Sequence, residues 1–155
     1  MARRRCCPCR RAGCAVCAAG TGPASWRVTI PAPTPGLCED CAAWEGEFLL
    51  DFSTGTSTAC LWELLFEADL CGQYCGLRLR IQDNGDGSYL VAVWLLERGE
   101  GCAPAFNPLG WEATVTDVVD GKLDCTQSWE LTANDSAGLS TACGWPEFVQ
   151  LEPVA

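Results

Sequence analysis

Histidine is absent from all 155 residues, and that absence removes whole classes of chemistry. Ser-His-Asp and Cys-His nucleophile systems, H-E-x-x-H zinc sites and histidine pH switches all require an imidazole. Any metal has to sit on cysteine or carboxylate. Lysine occurs once, at Lys122, and no acid occurs before Glu39. Long apolar runs are missing too: no stretch approaches the roughly 18 residues that a membrane-spanning helix needs. The first residues carry the positive charge of a signal peptide. However, Cys6, Cys7, Pro8, Cys9, Arg10 and Arg11 break the segment where its apolar core would lie, and Ala12 to Gly20 is too small and polar to replace it. A Sec signal is therefore not recognisable.

What is present points to a packed domain. Hydrophobic residues make up 48% and charged residues 19%, a globular balance. The length suits one domain with a core of its own, so its 13 Cys add to packing rather than replace it. Arg3, Arg4, Arg5, Arg10 and Arg11 crowd the start, whereas all 20 acids lie further on, opposed only by Arg27, Arg78, Arg80, Arg98 and Lys122. Phosphate contacts need net positive surface, so the acidic body is a poor nucleic-acid ligand. The basic tip could meet nucleic acid, an acidic partner or solvent.

Residues 1–25 read as a Cys- and Arg-rich arm, and 26–155 as the body. Trp26 to Ile30 alternates like a short strand, followed by the stiff Pro31, Pro33 and Pro35 connector. From there strand and turn signals follow one another: Glu47–Phe52, Cys60–Glu67, Leu77–Gln82, Tyr89–Glu97, Trp111–Val118, Lys122–Cys125, Trp129–Thr132 and Phe148–Leu151. Cys60–Glu67 would also fit a helical turn or two, but its flanks favour a strand. Asp83-Asn84-Gly85-Asp86-Gly87 and Asp120-Gly121 mark two hairpins. The expected fold is all-β, an antiparallel β-sandwich of about eight strands, with a barrel as the second choice.

The cysteines fall into two groups. Cys6, Cys9, Cys14 and Cys17 form C-x2-C-x4-C-x2-C, which presents four thiolates to one tetrahedral zinc, and the neighbouring Arg favour the thiolate. Local disulfides are the simpler alternative, and Cys7 is left over. Cys38, Cys41, Cys60, Cys71, Cys75, Cys102, Cys125 and Cys143 are disulfide candidates, an even set whose pairing the sequence leaves open. Cys38-Glu39-Asp40-Cys41 lacks the α/β context of a redox motif, and its two acids raise a thiol pKa. A second zinc site on Cys38, Cys41, Cys71 and Cys75 is a lesser alternative.

Trp is plentiful, with seven copies. Trp44, Trp62, Trp111 and Trp145 are candidates for an exposed carbohydrate- or protein-binding platform, against the plainer reading of Trp as core. Glu45, Glu47, Asp51, Glu63 and Glu67 could supply a carboxylate pair for glycoside hydrolysis, although acidic β surfaces offer such pairs routinely. Gln82 to Gly87 has a calcium-loop flavour but lacks the required Glu twelve positions in, where Val93 stands.

The run Cys38-Glu39-Asp40-Cys41-Ala42-Ala43-Trp44-Glu45-Gly46, then Cys60-Leu61-Trp62 and finally Cys143-Gly144-Trp145-Pro146, resembles a group of small Cys-rich β proteins and domains of environmental bacteria and their phages. The likeness covers about residues 25 to 153. It departs at Glu45, where many such sequences place Asn. The resemblance implies a β fold and display outside the cytoplasm, and no active site.

These readings converge on a non-enzymatic structural protein of the extracellular surface, foremost a virion component such as a head-decoration, tail or fibre subunit anchored through its arm. Its partners would be other assembly proteins, as a homo-oligomer or a virion lattice. The alternatives are a cell-surface binding module using exposed Trp, and a cytosolic zinc protein whose arm binds nucleic acid.

Overall fold

A computed structural model describes residues 14–19, 21–31, 45–70, 74–106, 108–134 and 146–154. Among these described residues eleven strands follow in chain order: β1 (Ser25–Ile30), β2 (Gly46–Gly55), β3 (Ala59–Leu70), β4 (Tyr74–Asp83), β5 (Tyr89–Arg98), β6 (Cys102–Pro104), β7 (Gly110–Val115), β8 (Val118–Val119), β9 (Lys122–Leu123), β10 (Trp129–Ala133) and β11 (Phe148–Val154).

Eight of them form one closed wall. Going round, β1, β2, β3, β4, β5, β7, β10 and β11 each pair antiparallel with the next, and β11 returns to β1 from Ser25↔Val154 to Thr29↔Gln150. The expected sandwich is therefore corrected to an eight-stranded barrel. A sandwich leaves edge strands to be blunted, and closure removes them. The short β6 extends the wall beside the end of β5, and β8 with β9 forms a separate small hairpin.

Alternation sorts the side chains. On β4, Leu77, Leu79 and Ile81 are buried while Arg78 and Arg80 face outward; on β5, Tyr89, Val91, Val93 and Leu95 point in. β3 is a strand throughout, with Cys60 and Trp62 inward. An eight-stranded barrel has an interior just wide enough for side chains to fill. Three indoles fill much of this one. Trp26 stacks on Trp129 with ring centroids 5.4 Å apart and meets Trp62 edge-on at 6.0 Å, and Phe52 closes on Trp62 at 5.5 Å. Ion pairs lie on the outer wall instead: Arg27 with Glu152 at 2.7 Å, Arg78 with Glu63, and Arg98 with Asp69 at 2.9 Å. An apolar inside and a charged outside is the reverse of a lipid-facing barrel. Among the described residues no helix is long and apolar enough to cross a membrane.

Both hairpin turns form. Asp83 Oδ1 accepts from the Gly85 amide and Asp86 Oδ1 from the Ser88 amide and hydroxyl, an ordinary side-chain-capped β4–β5 turn. Asp120 and Gly121 carry φ of 54° and 80°, the left-handed pair that a type I′ turn demands. This second hairpin joins only β8 to β9. β7 ends at Val115 and pairs with β5 and β10, so the longer hairpin expected from Trp111 to Cys125 is not made.

Candidate functional site

The distinctive feature of the molecule is one end of the barrel. There the wall presents the starts of β1, β3, β5 and β10, and the chain preceding β1 folds across it. Cys14, Val16, Cys17 and Ala18 are buried, and the first three belong to the same apolar core as Trp26 and Trp62. Ala18 N–H donates to Leu123 O at 2.8 Å, and Leu123 N–H donates to Val16 O at 3.3 Å. Lys122 Nζ donates to Ala15 O at 3.1 Å, and Thr21 Oγ1 accepts from the Cys125 amide at 3.3 Å. Trp62 Nε1 reaches Pro23 O at 3.3 Å. Residues 14–19 and 21–24 thus form a strap over the barrel mouth, and the remainder of the arm drawn over 1–25 lies outside the described residues.

Two disulfides fasten the strap. Cys14 is bonded to Cys60 at the start of β3, and Cys17 to Cys125 after β9, with Cα–Cα distances of 5.7 and 5.6 Å. A third disulfide, Cys75–Cys102, joins β4 to β6. The zinc quartet read from Cys6, Cys9, Cys14 and Cys17 is corrected here: the sulfurs of Cys14 and Cys17 are already bonded to carbon-bound sulfur partners, and a disulfide sulfur is no thiolate ligand. Cys6 and Cys9 lie outside the described residues. Cys75 is likewise unavailable to the second quartet. Of the eight body candidates, Cys60, Cys75, Cys102 and Cys125 are in disulfides, two of them with strap cysteines rather than with one another. Cys38, Cys41, Cys71 and Cys143 lie outside the described residues. Among the described residues no three His, Cys, Asp or Glu side chains gather as a metal set.

The Trp platform is also revised. Trp62 and Trp111 are buried inside the wall, with Trp111 Nε1 donating to Pro146 O at 2.9 Å. Trp44 and Trp145 lie outside the described residues. Trp94, on the outer face, is half-buried and donates to Glu112 Oε2 at 2.9 Å. Among the described residues, the large apolar side chains that reach the surface are Phe106, Leu65, Leu49, Val118, Phe148 and Val119. Three of the five carboxylates considered for hydrolysis are engaged: Glu63 grips Arg78 Nε at 2.6 Å, Glu47 lies 3.7 Å from Arg27, and Asp51 accepts from Ser25 Oγ at 2.5 Å.

Among the described residues, electrostatic perturbations fall on two turn carboxylates, one ion pair and the Tyr89 phenol. Side-chain hydrogen bonds from Thr126 and Gln127 hold the Asp124 carboxyl below its ordinary range, and Ser88 does the same for Asp86. The Arg98 hydrogen bond lowers Asp69. Burial, then the charge of Asp83, pushes the Tyr89 phenol up.

A cleft of about 360 Å³ lies beside the strap, lined by Thr21, Gly22, Pro23, Cys125, Thr126 and Pro153 among others. Its hydroxyls are engaged: Thr21 Oγ1 donates to Ala18 O and Thr126 Oγ1 to Asp124 Oδ1. What the residue-by-residue reading missed is that Cys14 and Cys17 reach into the barrel. A partial signal existed, because Cys60 shares strand parity with Trp62 and therefore points inward, away from surface partners. No protein family, curated protein or solved structure matches the chain.

Proposed function

We propose that the chain is a non-catalytic structural protein displayed outside the cell, a subunit of an extracellular assembly held through its N-terminal residues. The virion, as a head-decoration, tail or fibre protein, is the assembly to examine first. The observation that carries this reading is the double covalent fastening of the strap. A load applied ahead of Cys14 passes into β3 through Cys14–Cys60 and into the β9–β10 connection through Cys17–Cys125. Hydrogen bonds alone would peel one at a time. Disulfides persist in oxidising surroundings, which suits a displayed protein. The aromatic packing of Trp26, Trp62 and Trp129 supports a load-bearing solid over a carrier whose interior holds a ligand. Burial of Trp62 and Trp111 weakens the binding-platform alternative.

Mass spectrometry of purified virions and of cell-envelope fractions tests the proposal. Enrichment in either, with the strap disulfides intact, is the expected result. Recovery of the chain only from cytosol, with reduced cysteines, refutes it.

A further inference from the structure

We infer that the strap is a redox-released latch, in which a single two-electron reduction frees both of its tethers because Cys14 and Cys17 can bond to each other. This goes beyond the structural role above and stands whatever the assembly is.

The geometry begins with a turn. Cys17 N–H donates to Cys14 O at 3.2 Å, closing a four-residue turn over Cys14-Ala15-Val16-Cys17. The first and last Cα of such a turn lie within about 7 Å, and disulfides span Cα distances of about 4.4–6.8 Å. Both cysteines also send their sulfurs to the same side, into the barrel mouth, where each meets a different partner. Two disulfides are therefore brought together at a C-x-x-C whose own members are not bonded. Cys125 borders the cleft beside the strap but is itself buried, so a small thiol reaches it from that side when the strap edge opens locally.

A dithiol reductant completes the exchange. One of its thiolates attacks Cys125 Sγ, the Cys17–Cys125 bond breaks, and Cys17 leaves as a thiolate. That thiolate attacks Cys14 Sγ, forming Cys14–Cys17 and expelling Cys60 as a thiolate, which takes up a proton. The second thiol of the reductant then attacks its own mixed disulfide on Cys125, closing the reductant into a disulfide and releasing Cys125 as a thiol. Two electrons pass from the dithiol to the protein, which loses one disulfide in total. The strap loses both covalent tethers and keeps its hydrogen bonds to Phe52, Trp62, Lys122, Leu123 and Cys125 and the packing of Val16 and Ala18. The barrel wall, closed by its own ladders from β11 to β1 and from β4 to β5, does not depend on either bond.

Disulfide mapping of the full-length oxidised protein tests the latch. Free thiols are first blocked with N-ethylmaleimide, dithiothreitol is added up to one equivalent per chain, and the sample is quenched with iodoacetamide and digested with trypsin. No Lys or Arg separates Cys14 from Cys17, so both stay on one peptide. The expected result is carbamidomethyl on Cys60 and Cys125 in equal amounts, with the Cys14–Cys17 peptide unalkylated and two hydrogens lighter than its dithiol form. Hydrogen exchange at Ala18 should accelerate in the same sample while the β4–β5 amides keep their protection. Chains with Cys17 and Cys125 both alkylated and Cys14–Cys60 intact would overturn the inference. In a Cys17→Ala, Cys125→Ala variant, Cys14–Cys60 should lose its early opening and need a higher dithiothreitol dose than in the wild type. An unchanged dose would also overturn it, and should the variant fail to fold, the wild-type map alone decides.

Discussion

Replacing Cys17 and Cys125 together by alanine isolates the longest cross-link among the described residues, with a sequence separation of 108. In the chain-entropy account, a loop of that length restrains the unfolded chain by about 4.8 kcal/mol at 25 °C. The shorter Cys75–Cys102 link, with a separation of 27, gives about 3.6 kcal/mol on the same formula. Cys14–Cys60 lies between them at about 4.0 kcal/mol for a separation of 46. Whole domains are stable by only about 5–15 kcal/mol, so the Cys17–Cys125 deletion removes a large share. For a chain of this size each kcal/mol moves Tm by roughly 2–4 °C, which places the loss near 14 °C. Alanine is chosen because both positions are buried and a serine hydroxyl would add its own desolvation cost. Thermal and guanidinium unfolding of the oxidised wild type and of the three paired variants, followed by far-UV circular dichroism, supply the numbers. A loss below about 1 kcal/mol for Cys17/Cys125, or a clearly larger one for Cys75/Cys102, would refute the view that the strap cross-links constrain the chain through long loops.

Other changes probe the barrel itself. Trp26 Nε1 is buried without an acceptor among the described residues, whereas Trp129 Nε1 donates to Asp117 at 2.8 Å. Trp26→Phe sheds an unsatisfied donor worth about 1–3 kcal/mol, so it should cost less than Trp129→Phe by a similar margin in chemical denaturation. Gly110 sits against the Val93 carbonyl and the Trp94 Cα, and a Cβ there would overlap backbone. Gly110→Ala should therefore break the β5–β7 seam and lower stability by about 3 kcal/mol or more, read as loss of soluble folded protein. Acid should weaken the fold through Asp69, Asp86 and Asp124. Each has a folded pKa depressed below its unfolded value, so each contribution is complete above that unfolded value and disappears as pH falls through the folded one. Unfolding midpoints measured from pH 6 down to about pH 2 should fall below about pH 4. Replacing all three by Asn should flatten that fall, and an unchanged slope would exclude them as its source.

Much of the wall was legible in the sequence because strand periodicity needs only neighbouring residues. Leu77-Arg78-Leu79-Arg80-Ile81 sorts itself by charge, and the structure follows it residue for residue. Cys60–Glu67 was separable from a helix by the same parity, since Cys60 and Trp62 share a face and Glu63 takes the other. Closure was not legible. A sandwich and a barrel ask the same alternation of every strand, and what distinguishes them is β11 lying beside β1, 125 residues apart at Arg27 and Glu152. Trp burial was readable yet weighed too lightly. Trp111 alternates with Glu112, and Trp62 with Glu63, so the charged neighbour claims the solvent face. The zinc reading of the strap failed because C-x-x-C spacing is a local pattern, equally suited to one metal and to two separate long-range partners. Only the three-dimensional proximity of Cys60 and Cys125 selects the latter.

Two sulfur–sulfur bonds fasten the strap that seals one mouth of the filled barrel. The most direct measurement is peptide mapping of the protein isolated under alkylating conditions without added reductant. Linked peptides joining Cys14 to Cys60, Cys17 to Cys125 and Cys75 to Cys102 are the predicted result. A folded protein in which these six cysteines are all alkylated would contradict it.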